Sequence, residues 1–327
     1  MKKPWEMCQM GGIFKTFVFA ACMTPVVVFS ALAQAADYPK KNISLIVPYT
    51  AGGSSDIGAR RHAQYLEKEL GVPIIIENVA GAGGWVGWNK LMKAKPDGYT
   101  IAQLNLVFVD GYLNPEMKRT QNLSSITPLA RHVLDTTAWA VKPGSPFKDA
   151  KGLLEYVKAN PGKIKVGTSG VMTQHHLLLV QLEKLGYRME PVHCNGTADV
   201  LTMILGGHLD VASLGAGDVR KQVQDGELRG LAVMSLERSR FLPDTPTLAE
   251  NTGLALEAYA ARGYAGPANM DPAVVKILAD ALGKSMNTPE HVRDMENQGL
   301  EVKYLDNEDW LAFLKKIEKE HKEILGW

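Results

Sequence analysis

Short apolar runs alternate with longer amphipathic segments over most of the chain. The run "NISLIVPY" (42–49) is apolar without interruption at its centre, which is typical of a strand buried on both faces. After it, apolar residues recur at helical spacing between Ser54 and Leu70, and Gly71 is well suited to end a helix there. The pattern therefore predicts a strand, a short polar turn and a helix.

The same alternation continues along the chain. Further strands, some with their following turns, are predicted at 72–79, 97–105, 163–170, 187–194, 208–214 and 228–235. Helices are predicted at 151–162, 174–185, 195–207, 218–226, 271–287 and 307–324. Strands that alternate with helices of this length form βαβ units. We therefore predict an α/β fold with mostly parallel sheets flanked by helices.

Two segments look like passages between lobes, namely "AVKPGSPFKD" (140–149) and "EAYAARGYAGP" (257–267). Two passages imply that the C-terminal helices return to the first lobe. We predict one lobe from 36–140 together with 262–327, and a second lobe from 141–261. Two lobes joined in this way enclose a cleft that can close by a hinge motion.

The N-terminus has the pattern of a secretory signal peptide. Three lysines (Lys2, Lys3 and Lys15) accompany an apolar stretch at 17–32, and the small-residue sequence "ALAQAAD" follows it. We predict cleavage near Ala35 and a periplasmic mature protein. The alternatives are an uncleaved membrane anchor, for which the stretch is short and interrupted, and a lipoprotein modified at Cys22.

Composition and charge narrow the range of functions. The chain has 327 residues, 46% hydrophobic residues and a net charge of +1, which becomes about −1 when residues 1–35 are removed. No stretch concentrates lysine and arginine, so nucleic-acid binding gets little support. Cys194 is the single cysteine of the predicted mature chain, which leaves no internal disulfide to form.

Three polar, glycine-rich turns follow predicted strands. They are "YTAGGSSD" (49–56), "AGAGG" (80–84) and "GTSGVMT" (167–173). The first turn of a helix leaves backbone N–H groups unpaired, and small residues let an anion approach them closely. The alternative for each turn is ordinary helix capping by Ser54, Ser55, Asp56 or Thr173. In an open parallel sheet these turns share one edge, where ligands bind.

The sequence gives weaker support for dinucleotide binding, hydrolysis or metal binding. In "GAGGWVG" Val86 stands where the third glycine of a dinucleotide-binding motif belongs. Ser169 in "GTSGV" lacks the second glycine of a nucleophile elbow, although His176 and an aspartate (Asp199 or Asp210) could be imagined as partners of a secreted hydrolase. The adjacent His175 and His176 point about 100° apart on a helix, which disfavours a metal site.

Arg262 is the cationic residue that the pattern singles out. It lies in "AARGYAGP", between small residues in the predicted second passage between lobes. A guanidinium in a cleft can grip a carboxylate through two charge-assisted hydrogen bonds. The alternative is an arginine in an exposed surface loop.

Eight segments in order resemble one family of proteins. They are "YPKKNISLIVPYTAGGSSDIGAR", "ENVAGAGGWVG", "KPDGYT", "SGVMTQHHL", "LGGHLDV", "GELRGLAV", "RSRFLPDTPTLAE" and "RGYAGP". The chain is identified by them as a member of the Bug family, the periplasmic substrate-binding proteins of tripartite tricarboxylate transporters. The pair Arg262–Gly263, with "SLGAGDV" at 213–219, resembles the tricarboxylate-binding branch of that family. The resemblance covers nearly the whole predicted mature chain and implies a two-lobed, Venus-flytrap fold without catalysis.

The resemblance also implies which residues bind the ligand. The facing loops of the family correspond to Ala51, Gly52, Gly53, Ser55 and Asp56, and to Ser169, Gly170, Thr173 and His176, and we add Tyr49, Asn195 and Arg262. The chain departs from the family pattern at Met172, where glycine is common, and at Cys194–Asn195, where a tyrosine-lysine pair is common. We expect Asp56 to cap the helix or hold a bridging water.

The functional expectation is a binding protein for a small di- or tricarboxylate, such as a citrate-like acid. It would act as a monomer, without cofactor or metal, and deliver its ligand to the membrane permease of a tripartite tricarboxylate transporter. The alternative is a sensor module that presents a carboxylate to a signalling partner.

Overall fold

The computed structural model describes residues 38–52 and 54–326. The predicted signal peptide (1–35) and the predicted ligand residue Gly53 lie outside these residues. The first elements are β1 (Ile43–Val47), α1 (Ser54–Leu70), β2 (Ile74–Asn78), α2 (Trp85–Met92), β3 (Thr100–Asn105), α3 (Val107–Leu113) and β4 (Ile126–Val141). Short 3-10 helices occupy Ala82–Gly84, Pro115–Met117 and Leu123–Ser125.

The remaining elements continue the alternation of strands and helices. They are α4 (Ala150–Ala159), β5 (Lys165–Thr168), α5 (Gln174–Lys184), β6 (Glu190–His193), α6 (Thr197–Leu205), β7 (Val211–Gly215), α7 (Ala216–Gln224), β8 (Arg229–Val233), α8 (Leu248–Thr252), β9 (Tyr259–Pro267), α9 (Pro272–Met286), α10 (Pro289–Asn297), β10 (Val302–Leu305) and α11 (Asn307–Leu325). None of these described helices combines the length and apolar character that crossing a membrane requires.

Helix α1 shows how the pattern of the sequence becomes a packed element. Its apolar face (Ala59, Ala63 and Leu66) is at most 5% exposed, and it packs against α9 and α10. Gly71 follows with φ of 69° and donates its N–H to the carbonyl of Glu67 at 2.9 Å. Because a left-handed residue closes the last turn in this way, the helix ends where glycine was expected to end it.

The strands form one curled, mixed sheet in the order β2-β1-β3-β9-β4-β7-β5-β6, with β8 and β10 also paired to β4. The outer pairs β1–β2, β1–β3, β5–β6 and β5–β7 are parallel. All pairs that involve β4 or β9 are antiparallel. The α/β fold is confirmed, and the parallel arrangement holds for the outer strands. The centre differs because β4 and β9 do not belong to βαβ units.

Strand β4 belongs to both halves of the sheet. Its residues 126–136 pair with β9, and its residues 137–140 pair with β7. Strand β10 also pairs with the first part of β4, and β8 pairs with its last part. The strands therefore fall into two groups, β1–β3 with β9 and β10, and β5–β8, which share this one long strand.

Each group has its own hydrophobic core. In the first group, Trp85 stacks on Phe108 at 5.0 Å between ring centroids and meets Trp88 edge-on at 5.6 Å. The indole N–H of Trp88 donates to the carbonyl of Gln103 at 3.0 Å. In the second group, Trp139 is fully buried among aliphatic residues of α4 and α5. Aromatic pairs of this geometry contribute about 1 kcal/mol beyond the area they bury.

A buried cluster of three histidines joins α1, β4 and α10. His62 contacts the hydroxyl groups of Tyr264 and Ser285, each at 2.9 Å, and Nε2 of His132 lies 2.7 Å from Nε2 of His291. All three rings are at most 2% exposed. Burial holds the pKa of His62 and of His132 well below the ordinary range and lowers the pKa of His291 to about 4.

The histidine cluster should make the protein sensitive to acid. In the unfolded chain these side chains bind protons below pH about 6.5. In the folded chain these side chains remain neutral at lower pH, and His291 binds its proton only at pH about 4. The stability that neutral burial contributes is therefore complete above pH about 6.5 and falls as the pH drops towards 4. For His291→Gln, the slope of unfolding free energy against pH should be smaller by up to about 1.4 kcal/mol per pH unit.

Urea denaturation at a series of pH values between 7 and 4.5 measures this slope. His208→Gln is the matched control, because His208 is exposed on the surface. Equal slopes for the two variants would contradict the prediction.

Candidate ligand-binding cleft

A cavity of about 610 Å³ opens where the two groups of strands meet. Its walls come from β3 and α3, from β4 and β9, and from the loops that follow β1, β5 and β6. A larger depression of about 860 Å³ lies beside α4, but every charged residue that lines it is exposed. Ligand sites hold a few polar groups in fixed, partly buried positions. The cavity between the groups fits that description better.

Four helices present their first turn to this cavity. Its lining includes Ser55 of α1, His175 of α5, Thr197 of α6 and Asp218 of α7. Backbone N–H groups in the first turn of a helix have no partner within the helix, and the aligned peptide dipoles place about half a positive charge there. Four such turns around one cavity produce a field that favours an anion.

The first loop, between β1 and α1, is shaped by glycine and by a buried carboxylate. Gly52 has φ of 82°, which non-glycine residues rarely adopt. The carboxylate of Asp56 accepts hydrogen bonds from the backbone N–H of Gly52 at 2.9 Å, from Nε of Arg60 at 3.0 Å and from Nδ2 of Asn78 at 2.9 Å. Asp56 is 2% exposed. It therefore holds the loop in its conformation.

These hydrogen-bond partners determine the charge state of Asp56 and its role in the loop. Burial raises the pKa of Asp56, but the hydrogen bonds from Arg60, Gly52 and Asn78 outweigh it and leave the pKa below the ordinary value. Its carboxylate is ionised and already receives three donors. The carboxylate of Asp56 accepts hydrogen bonds from the N–H of Gly52, which precedes α1, and from the side chains of Arg60 and Asn78. It does not line the cavity.

The second loop, between β5 and α5, carries serine, threonine and two histidines. Oγ of Ser169 lies 2.9 Å from Nδ1 of His175. The hydroxyl of Thr173 donates to the carbonyl of Gly170 at 2.8 Å. His176 turns away from the cavity, accepts from the backbone N–H of Met172 at 3.1 Å and packs against His193. Met172 has φ of 59°, a left-handed conformation that residues other than glycine adopt infrequently.

Arg262 lies in β9 and lines the cavity. In the register of the sheet it lies opposite Asn105 of β3 and Val133 of β4. Its Nη1 atom is buried and has no hydrogen-bond partner among the described residues. Asn105 donates its side-chain N–H to the hydroxyl of Tyr49, and both residues line the same wall. Arg262 is therefore a strand residue in the cleft, not a surface-loop residue.

Two aspartates face the same cavity. Asp135 lies in β4 and is 8% exposed. Burial and the neighbouring Asp218 raise its pKa to about 7, although Arg262 opposes the rise. Burial also raises the pKa of Asp218, against a hydrogen bond from Thr197 and the charge of Arg262. A third aspartate, Asp110, is hydrogen-bonded to His321.

The predicted ligand residues divide into two sets. Six of them line the cavity: Tyr49, Ser55, Ser169, Thr173, Asn195 and Arg262. Five others do not line it: Ala51, Gly52, Asp56, Gly170 and His176. Members of the second set support the loops that carry the first, as the bonds of Asp56 and Gly170 illustrate. The structure thus brings both predicted loops to one cavity.

Several polar residues of the cavity were not predicted. They are Asn105, Asp110, Asp135, His175, Thr197, Asp218 and His321. His175 is 2% exposed, and burial lowers its pKa to about 3, so the ring is neutral. Asp218 lies within "SLGAGDV", a segment that the resemblance to the family singles out. Asp135 lies within a strand that the pattern did not predict, so no signal pointed to it.

A cleft between two groups of α/β strands, lined by helix N-termini, defines the class of periplasmic solute-binding proteins. Solved structures support this class. A TctC solute binding protein from Polaromonas, without ligand, superposes with a TM-score of 0.80 at 27% identity and covers 88% of this chain and 99% of its own. The periplasmic binding protein BugD superposes with a TM-score of 0.71 at 28% identity and covers 88% and 98%.

The chain belongs to the TctC family, whose description is "Tripartite tricarboxylate transporter family receptor". The model of this family matches residues 58–326. A relative described as "UPF0065 protein in gbd 5'region" of Cupriavidus necator is 33% identical over 90% of this chain and 90% of its own. Members of the family are periplasmic solute-binding proteins, not enzymes. They bind small carboxylates and work with the permeases of tripartite transporters.

Removal of the Asp56 carboxylate should loosen the first loop. Asp56→Ala leaves the N–H of Gly52 and the side chains of Arg60 and Asn78 without their acceptor. We expect the free energy of unfolding to fall by about 2 kcal/mol, because a buried network loses its central member. Chemical denaturation at pH 7 measures the change.

Glu69→Ala is the control for Asp56→Ala, because Glu69 is an exposed acid on the same helix. A loss for Asp56→Ala no larger than that of the control would show that the loop does not depend on the carboxylate.

Proposed function

We propose that this protein captures a small di- or tricarboxylate, such as a citrate-like acid, in the periplasm and delivers it to the permease of a tripartite tricarboxylate transporter. The observation that carries the proposal is the convergence on one cavity of four helix N-termini and of Arg262, whose buried Nη1 atom has no hydrogen-bond partner among the described residues. Both features favour a carboxylate. We further propose that the chain acts as a monomer once residues 1–35 are removed.

We propose that capture closes the cleft by a hinge. The lobes would be 36–140 with 262–327 and 141–261, and the chain would pass between them in β4 and near the start of β9. Predicted ligand residues from both groups of strands line the cavity and support this division, since Ser55 and Arg262 belong to the first group and Ser169 and Asn195 to the second. A ligand drives closure only if it binds the closed form more tightly than the open form.

A secreted hydrolase is the enzyme alternative, and the geometry does not favour it. Ser169 contacts His175, not His176, and the other ring nitrogen of His175 lies 3.2 Å from the side-chain amide of Gln174. A catalytic base needs an orienting acceptor and a pKa near neutrality. Burial lowers the pKa of His175 to about 3, so this ring is poorly suited to accept the proton of the serine.

A calorimetric and thermal-shift screen of organic acids on the mature protein tests the proposal. We expect at least one di- or tricarboxylate to raise the midpoint of unfolding with ligand concentration as mass action requires. The free energy of unfolding should rise by about 2.7 kcal/mol at one hundred times the dissociation constant. Neutral sugars and inorganic cations serve as controls. A response to these controls without any response to carboxylates would overturn the proposal.

Deletion of the gene then separates transport from sensing. Loss of uptake of the identified acid is the result expected for a transport protein. Normal uptake combined with a lost transcriptional response to the acid would replace the transport role by the sensor role.

Arg262 should contribute strongly to affinity. A buried hydrogen bond to a charged group contributes about 1.5–3 kcal/mol, so Arg262→Ala should weaken the best di- or tricarboxylate by about tenfold to a hundredfold. The affinity for acetate, which offers one carboxylate, should fall by a smaller factor. Arg188→Ala, which removes an exposed arginine on the surface, should leave calorimetric affinities unchanged. Equal effects of the two substitutions would return Arg262 to a structural role.

A further inference from the structure

The wall of the cleft carries a carboxylate without a fixed partner. Asp135 lies in β4, is 8% exposed, and accepts no hydrogen bond within the part of the chain that the structure describes. Val133, two residues before it, pairs with Arg262 of β9. Alternate residues of a strand share a face, and so do residues paired across antiparallel strands. The side chains of Asp135 and Arg262 therefore lie on the same face of the sheet.

A second carboxylate meets Asp135 at Gly215. A Cβ on Gly215 would lie 2.5 Å from Oδ2 of Asp135, so this carboxylate rests against the end of β7. Asp218 lies in the first turn of α7, where the backbone N–H of Gly215 stabilises its ionised form. Oδ2 of Asp218 also accepts a hydrogen bond from the hydroxyl of Thr197 at 3.2 Å. The two carboxylates share one corner of the cavity, and Asp218 has the donors that Asp135 lacks.

The charges around this corner favour a proton on the pair. Burial and the charge of Asp218 raise the pKa of Asp135 to about 7, and Glu301 adds to the rise while Arg262 opposes it. With both aspartates ionised, the pair and Arg262 sum to one negative charge. One proton on the pair brings this sum to zero, which is the less costly state in a half-buried space.

The other titratable groups of the cavity are already compensated or neutral. Asp110 and His321 form a pair with each other. Burial lowers the pKa of His175 to about 3, and burial raises the pKa of Tyr49 above its ordinary value, so both side chains are uncharged near pH 7. The corner at Gly215 is therefore where an added negative charge is least compensated.

An anion in the cleft changes the balance of this corner. Its charge repels the ionised pair, and it engages Arg262, whose charge otherwise offsets the pair. We propose that the Asp135–Asp218 pair takes up one proton when the cleft captures its carboxylate ligand. This inference rests on the proposed function, because it adds a protonation step to capture at the same cavity. Capture is then favoured in acidic surroundings and weakened in alkaline ones.

The pH dependence of affinity follows from this linkage. Asp135 of the free protein titrates at pH about 7, and a bound anion moves its pKa upwards. Affinity is therefore constant below pH about 6, where the pair already holds its proton, and it falls as the pH rises through 7. For the tightest-binding acid among L-malate, succinate and adipate, we expect the dissociation constant to increase about tenfold between pH 7 and pH 8.5. The carboxylates of these acids are ionised throughout this range.

Calorimetry at pH 7.5 in two buffers of different ionisation enthalpy counts the protons directly. We expect the mature protein to take up more than about 0.3 proton for each molecule of acid that it binds. An uptake at or below that value, or a release of protons, would overturn the inference.

Two variants assign the proton to this pair. Asp135→Asn removes the titrating group and keeps its size, so it should abolish the uptake and hold the dissociation constant within about twofold from pH 7 to pH 8.5. It should also bind the acid more tightly than the unmodified protein at pH 8.5. Asp218→Asn removes a charge that raises the pKa of Asp135, so the loss of affinity should begin at a lower pH.

Asp199→Asn is the matched control for these variants, because Asp199 is an exposed acid of α6 outside the cavity. It should keep the proton uptake and the pH profile of the unmodified protein. If Asp135→Asn does not fold, the proton count on the unmodified protein and the pH profile of Asp218→Asn decide the question.

The outcomes separate this inference from the proposed function. Binding of an acid without proton uptake, or with an uptake that persists in Asp135→Asn, overturns the inference and leaves carboxylate capture standing. Failure of every organic acid to bind at any pH overturns both. Proton uptake that is lost in Asp135→Asn and kept in Asp199→Asn supports both.

Discussion

The architecture depends on one long antiparallel ribbon formed by β4 and β9. Strand β4 runs for 16 residues and supplies hydrogen bonds to both groups of strands. Nearly all of its residues are buried, so its backbone groups must find partners within the sheet. Its neighbours β7, β8, β9 and β10 provide them. The register of this ribbon thereby sets where the two groups meet and what faces the space between them.

The cavity is a consequence of that register. Arg262 pairs with Val133, and Asp135 pairs with Ala260, so a cation and an anion from adjacent strands reach the same opening. The parallel strands on either side end at the same opening and lead into helices, whose first turns point inwards. In an open α/β sheet the carboxyl ends of the strands are where ligands bind. Here two sets of such ends face each other.

The outer parts of this architecture could be predicted from the sequence. Continuous apolar runs and helical spacing indicated β1, α1 and the βαβ units of the second group, and the observed helix α1 spans the predicted residues. Signals from small polar residues at strand ends indicated the two loops, and six of the predicted ligand residues line the cavity. These features are local, since spacing and turn chemistry determine them within about ten residues.

The centre could not be predicted for a physical reason. Strand β4 reads "ITPLARHVLDTTAWAV" and contains an arginine, a histidine and an aspartate that are each at most 8% exposed. Such residues normally indicate a surface segment, and their burial is possible only because distant parts of the chain meet them. Arg131 donates to the carbonyl of Lys303 at 2.8 Å, and His132 contacts His291. Neither partner can be read from the neighbourhood of β4 in the sequence.

The polar centre also explains how a binding protein can hold its ligand and still release it. Asp135 is 8% exposed and the Nη1 atom of Arg262 is buried, so both groups have limited access to water before a ligand arrives. A ligand that pairs with Arg262 replaces an unfavourable environment with a favourable one, and this gain exists only while both sides of the cleft are in contact. In the hinge motion that we propose, separation of the lobes would let water reach the same groups again and compete for them. Affinity would then depend on closure, and a partner that opens the cleft would release the ligand.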